Sequence, residues 1–285
     1  MQKNIPGVYA STKKSGSPYF RSSITFKGKH ISLGGFDNET DAHRAYLQAR
    51  LLLKDRERTI LDYKSPSPLS FEKWVCLINF RDNGIYISNP IYIMRRMFLY
   101  YLSPTEILKF DADELFFYSS HKIMRRGKHF FAADYGLQVN ILNRYGIRSY
   151  AVPGRDYVFA NGDELDLRSS NLRIINRYMG VMRKSVNNRI CYRSRIHIKG
   201  NFIIGDYDTE EEAAIAYNKA VDILKAKGIN KNYMRNYIDN LSNDDYKAVY
   251  DKIKVSEKIL RFAQDDKKAQ DDRYAQDDRY AQDDR

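Results

Sequence analysis

One pattern of residues occurs twice in this 285-residue sequence, once near each end. Each copy opens with a Gly-Val pair, at Gly7 or Gly180, and continues through an alternating segment that ends in Lys-Gly. Each copy closes on an Ala-x-x-Ala-Tyr-x-x-Ala run, which contains Tyr46 or Tyr217. Similarity at this many spaced positions predicts a duplicated small domain, so the fold is expected to contain two related modules.

The first half of each copy predicts a strand that ends in a turn. Residues of alternating character place mainly apolar side chains on one face and polar side chains on the other. The Lys-Gly pairs at 27–28 and 199–200 then indicate a turn into a further strand. The polar sets are Arg21, Ser23 and Thr25, and Arg193, Arg195 and His197; the opposite sets are Phe20, Ser22, Ile24 and Phe26, and Tyr192, Ser194, Ile196 and Ile198.

The second half of each copy predicts a helix. Thr209 and Glu212 have the spacing of a capping box, and Asn38 and Asp41 form a weaker equivalent. Alanine and tyrosine then recur at helical spacing, and small side chains allow a helix to lie close to a sheet. Each module is therefore expected to cover one face of a three-stranded sheet with a helix and to leave a polar, basic face exposed.

Charge is divided in the same way in both copies. Five Lys or Arg residues and no Asp or Glu lie between Gly7 and Gly34. Six Lys or Arg residues and again no acid lie between Gly180 and Gly205. Acids return directly afterwards, near the expected helix starts. Since the whole chain has a formal net charge of +12, this division predicts a cationic sheet face that binds a polyanion.

The combined pattern resembles the apetala-2/ethylene-responsive-factor (ERF) DNA-binding domain, and the second copy matches it better. The resemblance implies a three-stranded antiparallel sheet on one helix, with sheet side chains in the major groove of double-stranded DNA. Groove-reading arginines and tryptophans are largely absent from the first copy, so phosphate contacts are favoured over base reading there. The candidate DNA-binding residues are Lys184, Arg193, Arg195, His197 and Lys199, and Arg21, Ser23, Thr25, Lys27, His30 and Ser32.

The segment 154–176 is similar to the core of HNH homing endonucleases. The similarity rests on an Asn-Gly-Asp turn and an Asp-x-Arg-x-x-Asn-Leu-Arg turn, which the family follows with a helix. The members that carry it are Asn161, Asp163, Asp166, Asn171 and Arg173. The same residues also make good turns and helix caps in proteins without nuclease activity.

The catalytic position of that family is altered. The resemblance implies a histidine that acts as general base beside a divalent metal. Phe159 stands at this position, and phenylalanine neither accepts a proton nor binds a metal. We expect a retained fold without catalysis, metal or cofactor. The alternative is an active metal-dependent nuclease that recruits His121 or His129.

The rest of the central region yields weaker expectations. A Ser-Pro-Ser-Pro segment at 65–68 predicts a linker, and apolar residues at 71–80 and 85–101 are expected to pack. Residues 111–126 are expected to form a helix that ends at Gly127. The spacing of Ala132, Gly136, Leu142 and Tyr145 is that of a helix-turn-helix, either a DNA reader or an ordinary helix pair.

The C-terminus carries a different repeat, four copies of an Ala-Gln-Asp-Asp hexamer of which the last is truncated. Residues 263–285 contain eight Asp and five Lys or Arg. With almost nothing apolar to bury, this tail is expected to be disordered. It is either an acidic mimic of DNA or, as we favour, a repeat without a function.

Cysteine usage and hydropathy bear on the compartment. Cys76 and Cys191 lie far apart without a CxxC partner, which argues against zinc fingers and disulfides and favours a reducing environment. No apolar run approaches the ~18 residues of a membrane span, and the N-terminus lacks the apolar stretch of a signal peptide. We expect an intracellular protein of the cytoplasm or nucleoid, with no membrane partner and no small-molecule substrate.

These expectations combine into an α+β multidomain chain whose two modules flank a mixed α/β central region. The expected function is DNA binding, as a transcription-regulator-like or mobile-element-derived protein related to HNH homing endonucleases without their activity. The alternatives are a metal-dependent HNH homing endonuclease and a nonspecific nucleic-acid or RNA-binding protein. The expected segments are 1–62 (ERF-like module), 63–110 (linker and packing segment), 111–178 (helical and HNH-like region), 179–241 (ERF-like module), 242–262 (helix) and 263–285 (tail).

Overall fold

A computed structural model describes residues 5–134, 136–198, 200–229 and 231–255 and confirms the α+β class. The chain divides into two compact units, Met1–Tyr145 with Phe159–Leu172, and Gly146–Val158 with Arg173–Arg285. Each unit contains one copy of the duplicated module. The finer division into six segments stays a prediction.

The first module is an antiparallel sheet covered by a helix, as the sequence predicted. Its helix begins at the expected cap, where the side chain of Asn38 accepts a hydrogen bond from the backbone N–H of Asp41 at 2.8 Å. Ala42, Ala45 and Ala49 are fully buried, so the small stripe lets the helix approach the sheet closely. The strands are β1 (Val8–Thr12), β2 (Pro18–Phe26) and β3 (Lys29–Phe36), in the order β1-β2-β3, and the helix is α1 (Glu39–Lys54).

A second helix, α2 (Phe71–Asn83), shares the hydrophobic core of the first module. It begins at Ser70, whose side chain accepts from the backbone N–H of Lys73, and ends at Gly84 in the left-handed conformation. Trp74 is 2% exposed and donates its indole N–H to the carbonyl oxygen of Thr59 at 3.1 Å. The core of this module therefore extends beyond the duplicated pattern.

Residues 91–145 form two small sheets rather than the expected helices. The helix expected over 111–126 is wrong, because only a short helical segment lies between strands. The helix-turn-helix expected over 132–145 is also wrong. Gly127 and Gly136 have φ of +58° and +77° and each lies in a hairpin turn. The elements are β4 (Ile91–Ile93), β5 (Met97–Tyr101), β6 (Ile107–Asp111), α3 (Leu115–Ser120), β7 (Ile123–Arg126), β8 (His129–Asp134) and β9 (Leu137–Asn140).

The second module repeats the architecture of the first. The side chain of Thr209 caps its helix by accepting from the backbone N–H of Glu212 at 3.1 Å. The expected C-terminal helix ends at Lys252, and the expected tail at 263–285 lies outside the described residues. After the two-stranded sheet of β10 (Tyr157–Phe159) and β11 (Leu172–Ile174), the elements are β12 (Val181–Val186), β13 (Arg189–His197), β14 (Asn201–Tyr207), α4 (Glu210–Ala226) and α5 (Asn243–Lys252).

The two modules share an irregularity in the sheet. The β2–β3 register shifts between Ser22 and Ser23, and the β13–β14 register shifts between Ser194 and Arg195. Both shifts are β-bulges, which twist a sheet locally. Ser22 and Ser194 are 1% and 0% exposed, and neither hydroxyl has a hydrogen-bond partner within the described residues. The duplication therefore extends to a bulge and a buried polar group.

Each helix in the described ranges is too short or too polar to cross a lipid bilayer.

Candidate nucleic-acid interface

The outer face of the first sheet, opposite α1, carries most of the residues of the first copy that the sequence assigned to DNA. The core side of this sheet holds Ile24, Ile31 and Leu33. Alternation therefore places the polar set on the other side. Cross-strand pairs join Tyr9 to Arg21, Ser23 to Ser32 and Thr25 to His30.

This face is cationic and has a shallow depression of about 360 Å³. Arg21 is exposed, its cross-strand neighbours are Tyr9 and Gly35, and no carboxylate among the described residues pairs with it. Ser23 is 8% exposed, and its hydroxyl is buried. Ser23 was predicted to face DNA, but in this conformation its hydroxyl does not reach the surface. The guanidinium of Arg21 is an accessible cation of this face, beside the exposed side chains of Thr25, His30 and Ser32.

Lys27 occupies the turn between β2 and β3. Its Nζ lies 3.5 Å from the carbonyl oxygen of Arg81 and 5.4 Å from the ring centroid of Phe26. These contacts direct the ammonium group toward α2. Lys27 therefore adds positive charge at the end of the face rather than at its centre.

The outer face of the second sheet holds Lys184, Arg193, Arg195 and His197. Its core side packs Ile196 and Ile204 against α4. Lys199, the fifth residue assigned to DNA in this copy, lies outside the described residues. The four described residues are thus brought to one face, as the alternation predicted.

Arg193 is paired with an acid that the sequence reasoning overlooked. Its Nε and Nη2 donate to the two carboxylate oxygens of Asp206, each at 2.6 Å. Asp206 lies directly opposite Arg193 on β14, and hydrogen bonding by the guanidinium lowers the pKa of this carboxyl below its usual value. Arg21, at the corresponding position of the first copy, faces Gly35 instead. The two copies therefore differ at the position across from the arginine, where the second has Asp206 and the first has Gly35.

The pairing divides the cations of the second face into two groups. The charge of Arg193 is compensated by Asp206. Lys184 and Arg195 are half-buried and form no ion pair within the described residues, although the charge of Lys184 also helps to lower the pKa of Asp206. Both are therefore available to an anionic ligand.

A histidine occupies the same end of both faces. In the first copy, His30 Nδ1 lies 3.3 Å from the hydroxyl oxygen of Thr25. In the second, His197 Nδ1 lies 3.3 Å from the side-chain oxygen of Asn201. In the first module the histidine lies on the third strand and its polar partner lies on the middle strand. In the second module the histidine lies on the middle strand and its polar partner lies on the third.

The HNH-like segment forms a turn stabilised by its own polar side chains. Asn161 donates from Nδ2 to Asp166 Oδ2 at 2.9 Å and accepts the backbone N–H of Asp163 at 2.8 Å. Asn171 accepts the backbone N–H of Asn161 at 2.8 Å and donates to the carbonyl oxygen of Asp166 at 2.8 Å. Asp163 forms an ion pair with Lys109 at 2.7 Å. Asn161, Asp163, Asp166 and Asn171 are thus engaged in the conformation of the turn.

The side chain that stands at the general-base position also packs against a hydrophobic core. Phe159 is half-buried and packs against a hydrophobic core that contains Phe98 and Leu167. The helix that the family places after the Asn-Leu-Arg turn is absent from the described residues, since Leu172–Ile174 is a strand and the next element is β12. This expectation from the resemblance is therefore wrong.

His121 and His129, the two histidines that an active nuclease would have to recruit, lie beside aromatic residues. His121 stacks on Phe117 with ring centroids 4.0 Å apart, and its Nδ1 lies 2.8 Å from the carbonyl oxygen of that residue. His129 is exposed, and its ring centroid lies 6.4 Å from that of Phe131. Within the described ranges, no group of three His, Cys, Asp or Glu residues has the arrangement of a metal site.

Comparison with models of protein families finds no match, and comparisons with curated proteins and with solved structures find none either. The argument for function therefore rests on the geometry of the two sheet faces.

Proposed function

We propose that this protein binds double-stranded DNA through the outer faces of its two sheets. The observation that carries the proposal is the repeated arrangement of cations on a face opposite the helix, with Arg21 in one module and Lys184 and Arg195 in the other. Each face lies away from the acids of its own helix start, such as Asp41 and Glu212. A two-sided distribution of charge of this kind orients a protein on a polyanion.

The two faces are proposed to contribute differently. Arg195 lies on a middle strand and has no ion pair within the described residues, and its guanidinium fork matches the acceptor edge of guanine in the major groove. The first face has one arginine, hydroxyl groups and His30, which is a composition suited to phosphate contacts. We therefore propose that the second module reads sequence and the first positions the chain. This division agrees with the ERF resemblance, which stays part of the proposal.

The test is a binding experiment with matched charge variants of the full chain. Duplexes selected from a random pool would be titrated with the parent protein and with Arg195→Ala and Arg21→Ala. The expected losses are about 1–3 kcal/mol and altered sequence preference for Arg195→Ala, and a smaller loss with unchanged preference for Arg21→Ala.

Controls come from the helix side of each module. Arg50 on α1 and Lys225 on α4 are exposed, so Arg50→Ala and Lys225→Ala remove the same charge from the opposite surface. Losses as large in these controls as in the face variants would contradict the proposal and indicate nonspecific attraction. Repeating the titration with Mg²⁺ would test the alternative function, because cleavage of a bound duplex would indicate a nuclease.

A further inference from the structure

A second feature of the second unit is a cavity that adjoins the sheet face and shares Arg195 and His197 with it. A cavity of about 370 Å³ is lined by Arg195, His197 and Asn201 from the sheet and by two segments outside the duplicated pattern. Tyr150 and Arg155 come from the segment before the module, and Lys231 to Met234 from the segment after α4. This volume lies in the range of sites for small organic ligands.

Four of the residues that line the cavity are tyrosines. Tyr150, Tyr178, Tyr217 and Tyr233 all line it. Burial raises the pKa of Tyr217 to about 12 and also raises the pKa of Tyr150 and Tyr178. These three phenols are neutral at physiological pH, so their rings add apolar surface to the cavity and no negative charge. Such surfaces accept planar rings, including nucleobases.

Two cations of the cavity have no compensating acid among the residues that the structure describes. Arg195 has no ion pair within the described residues. Lys231 donates from Nζ to the carbonyl oxygens of His197 and Ile198, each at 3.2 Å, which leaves one of its three N–H donors. The third cation, Arg155, is neutralised by Asp156, to which its guanidinium donates at 2.9 and 2.5 Å. The net excess therefore suits one anionic group.

The first module has no such arrangement of residues. Ser23 stands at the position of Arg195, and the repeated pattern includes neither the segment of Tyr150 nor that of Lys231. The residues that complete the cavity are thus additions to the second copy. They supply tyrosine side chains and a cation together. A sheet face that only binds duplex DNA needs neither of these additions.

We propose that this cavity binds a nucleotide, with its phosphate at Arg195 and Lys231 and its base among the tyrosines. The nucleotide would be either a free nucleoside monophosphate or a single unstacked nucleotide of a DNA strand. The site extends beyond the proposed duplex binding, and Arg195 is common to both.

The test begins with calorimetric titration of the full chain with thymidine 5′-monophosphate and deoxyadenosine 5′-monophosphate. Thymidine and inorganic phosphate serve as the two fragments. The expected result is that each nucleotide binds at least tenfold more tightly than either fragment. Equal affinity for inorganic phosphate, or no binding of the nucleotides, would overturn the proposal.

Two exposed residues of the cavity give variants that change no side chain of the sheet face. Lys231→Gln removes a cation and should weaken nucleotide binding at least fivefold, while Lys225→Gln, the same change on α4 outside the cavity, should leave it unchanged. Asn232→Trp places a large ring at the rim and should reduce binding at least tenfold. Nucleotide affinity unchanged in both cavity variants, with circular dichroism like that of the parent, would overturn the site.

Duplex titrations distinguish the two sources and separate this proposal from the previous one. If the nucleotide belongs to a strand, a duplex with one unpaired nucleotide should bind more tightly than a perfect duplex, and Asn232→Trp should abolish the difference. Equal binding of the two duplexes alongside nucleotide binding indicates the free ligand. Nucleotide binding without any duplex binding would reject only the proposed function, and the converse would reject only this site.

Discussion

Gly7 lies directly against the ring of Tyr46, so closely that a Cβ on the glycine would stand 2.1 Å from Cδ2 of the tyrosine. The second module repeats the contact, with Gly180 placed so that its Cβ would stand 2.4 Å from Cδ2 of Tyr217. Both glycines have positive φ, +76° and +74°. The glycine that opens the duplicated pattern and the tyrosine near its end therefore contact each other, and this contact packs the sheet against the helix.

The first prediction concerns the space at this contact. Gly7→Ala should destabilise the first unit by about 2–5 kcal/mol, because left-handed strain of about 1–2 kcal/mol adds to overpacking of about 1–3 kcal/mol. Gly28→Ala is the matched control, since Gly28 has φ of +77° but nothing within 4 Å of its Cβ position. Urea unfolding followed by the fluorescence of Trp74, the single tryptophan, measures both losses. Equal losses would show that the contact with Tyr46 contributes nothing.

The second prediction concerns the buried hydroxyl at the bulge. Ser22→Ala should stabilise the first unit by about 1 kcal/mol, because it removes a buried polar group that lacks a hydrogen bond. Ser169→Ala is the control, since the hydroxyl of Ser169 donates to Asp111 Oδ2 at 2.7 Å; it should lose about 1 kcal/mol. The same fluorescence experiment compares them. Destabilisation by both substitutions would indicate that the hydroxyl of Ser22 has a partner in solution.

Both modules were predictable from sequence because their local signals agree with their packing. Asn38 and Thr209 cap helices, and alternation sorts β2 and β13 into two faces. Residues 111–145 were not predictable in this way. A glycine in the left-handed conformation can end a helix or form a hairpin turn, and Gly127 and Gly136 do the second.

The pairing of charges at the site became visible only in the strand register. Alternation placed Arg193 on the outer face, but only the pairing of β13 with β14 sets Asp206 opposite it. The cavity beside Arg195 was also beyond sequence reasoning, because Tyr150 and Lys231 lie on either side of the module in the chain. Their convergence depends on tertiary packing, for which no local pattern exists.

The third prediction concerns acid stability of the HNH-like turn. Arg168 donates from Nε and Nη2 to the carboxylate of Asp166 at 2.8 and 2.6 Å. Hydrogen bonding by Arg168 lowers the pKa of Asp166 below 3.8. A folded-state pKa below the unfolded value contributes stability that is present above the unfolded pKa and is lost as pH falls through the folded one.

Asp166→Asn should therefore cost about 1.5–3 kcal/mol at neutral pH, the range for hydrogen bonds to charged groups. It should also flatten the decline in stability below about pH 4. Asp113→Asn changes an exposed carboxylate and serves as the control. Urea unfolding at a series of pH values checks the outcome, and parallel declines in the parent and Asp166→Asn would contradict the assignment.

The fourth prediction concerns the compensated arginine of the second face. Asp206→Asn should release Arg193 and tighten duplex binding, with a salt dependence steeper by about one phosphate contact, a slope change near −0.9. Asp208→Asn makes the same change of charge at an exposed residue with no ion pair in the described ranges. Titration of one duplex at several salt concentrations compares the two. If Asp208→Asn shifts affinity and slope as much, net charge rather than Arg193 is responsible.

The last prediction uses the duplication itself. Two faces on one chain should bind a bipartite site more tightly than either alone, because engagement of one raises the effective concentration of the other, to roughly millimolar for short linkers. We expect an optimal separation of half-sites, and a change of about 5 base pairs, half a helical turn, should weaken binding.

The salt dependence provides an independent measure of this bipartite binding. With roughly 6–10 phosphate contacts over both faces, affinity should fall by ~10³–10⁵ between about 50 and 200 mM salt, and a chain with one disabled face should lose much less. The variants are best made in the full chain, because the core of the first module includes Trp74 and Leu77 of α2 and a fragment ending at residue 62 would lack them. Arg21→Ala with Lys27→Ala disables the first face, and Lys184→Ala with Arg195→Ala the second. Footprints and salt slopes of the two double variants decide the matter: if loss of the first face leaves both unchanged, the second module binds alone and the first copy is structural.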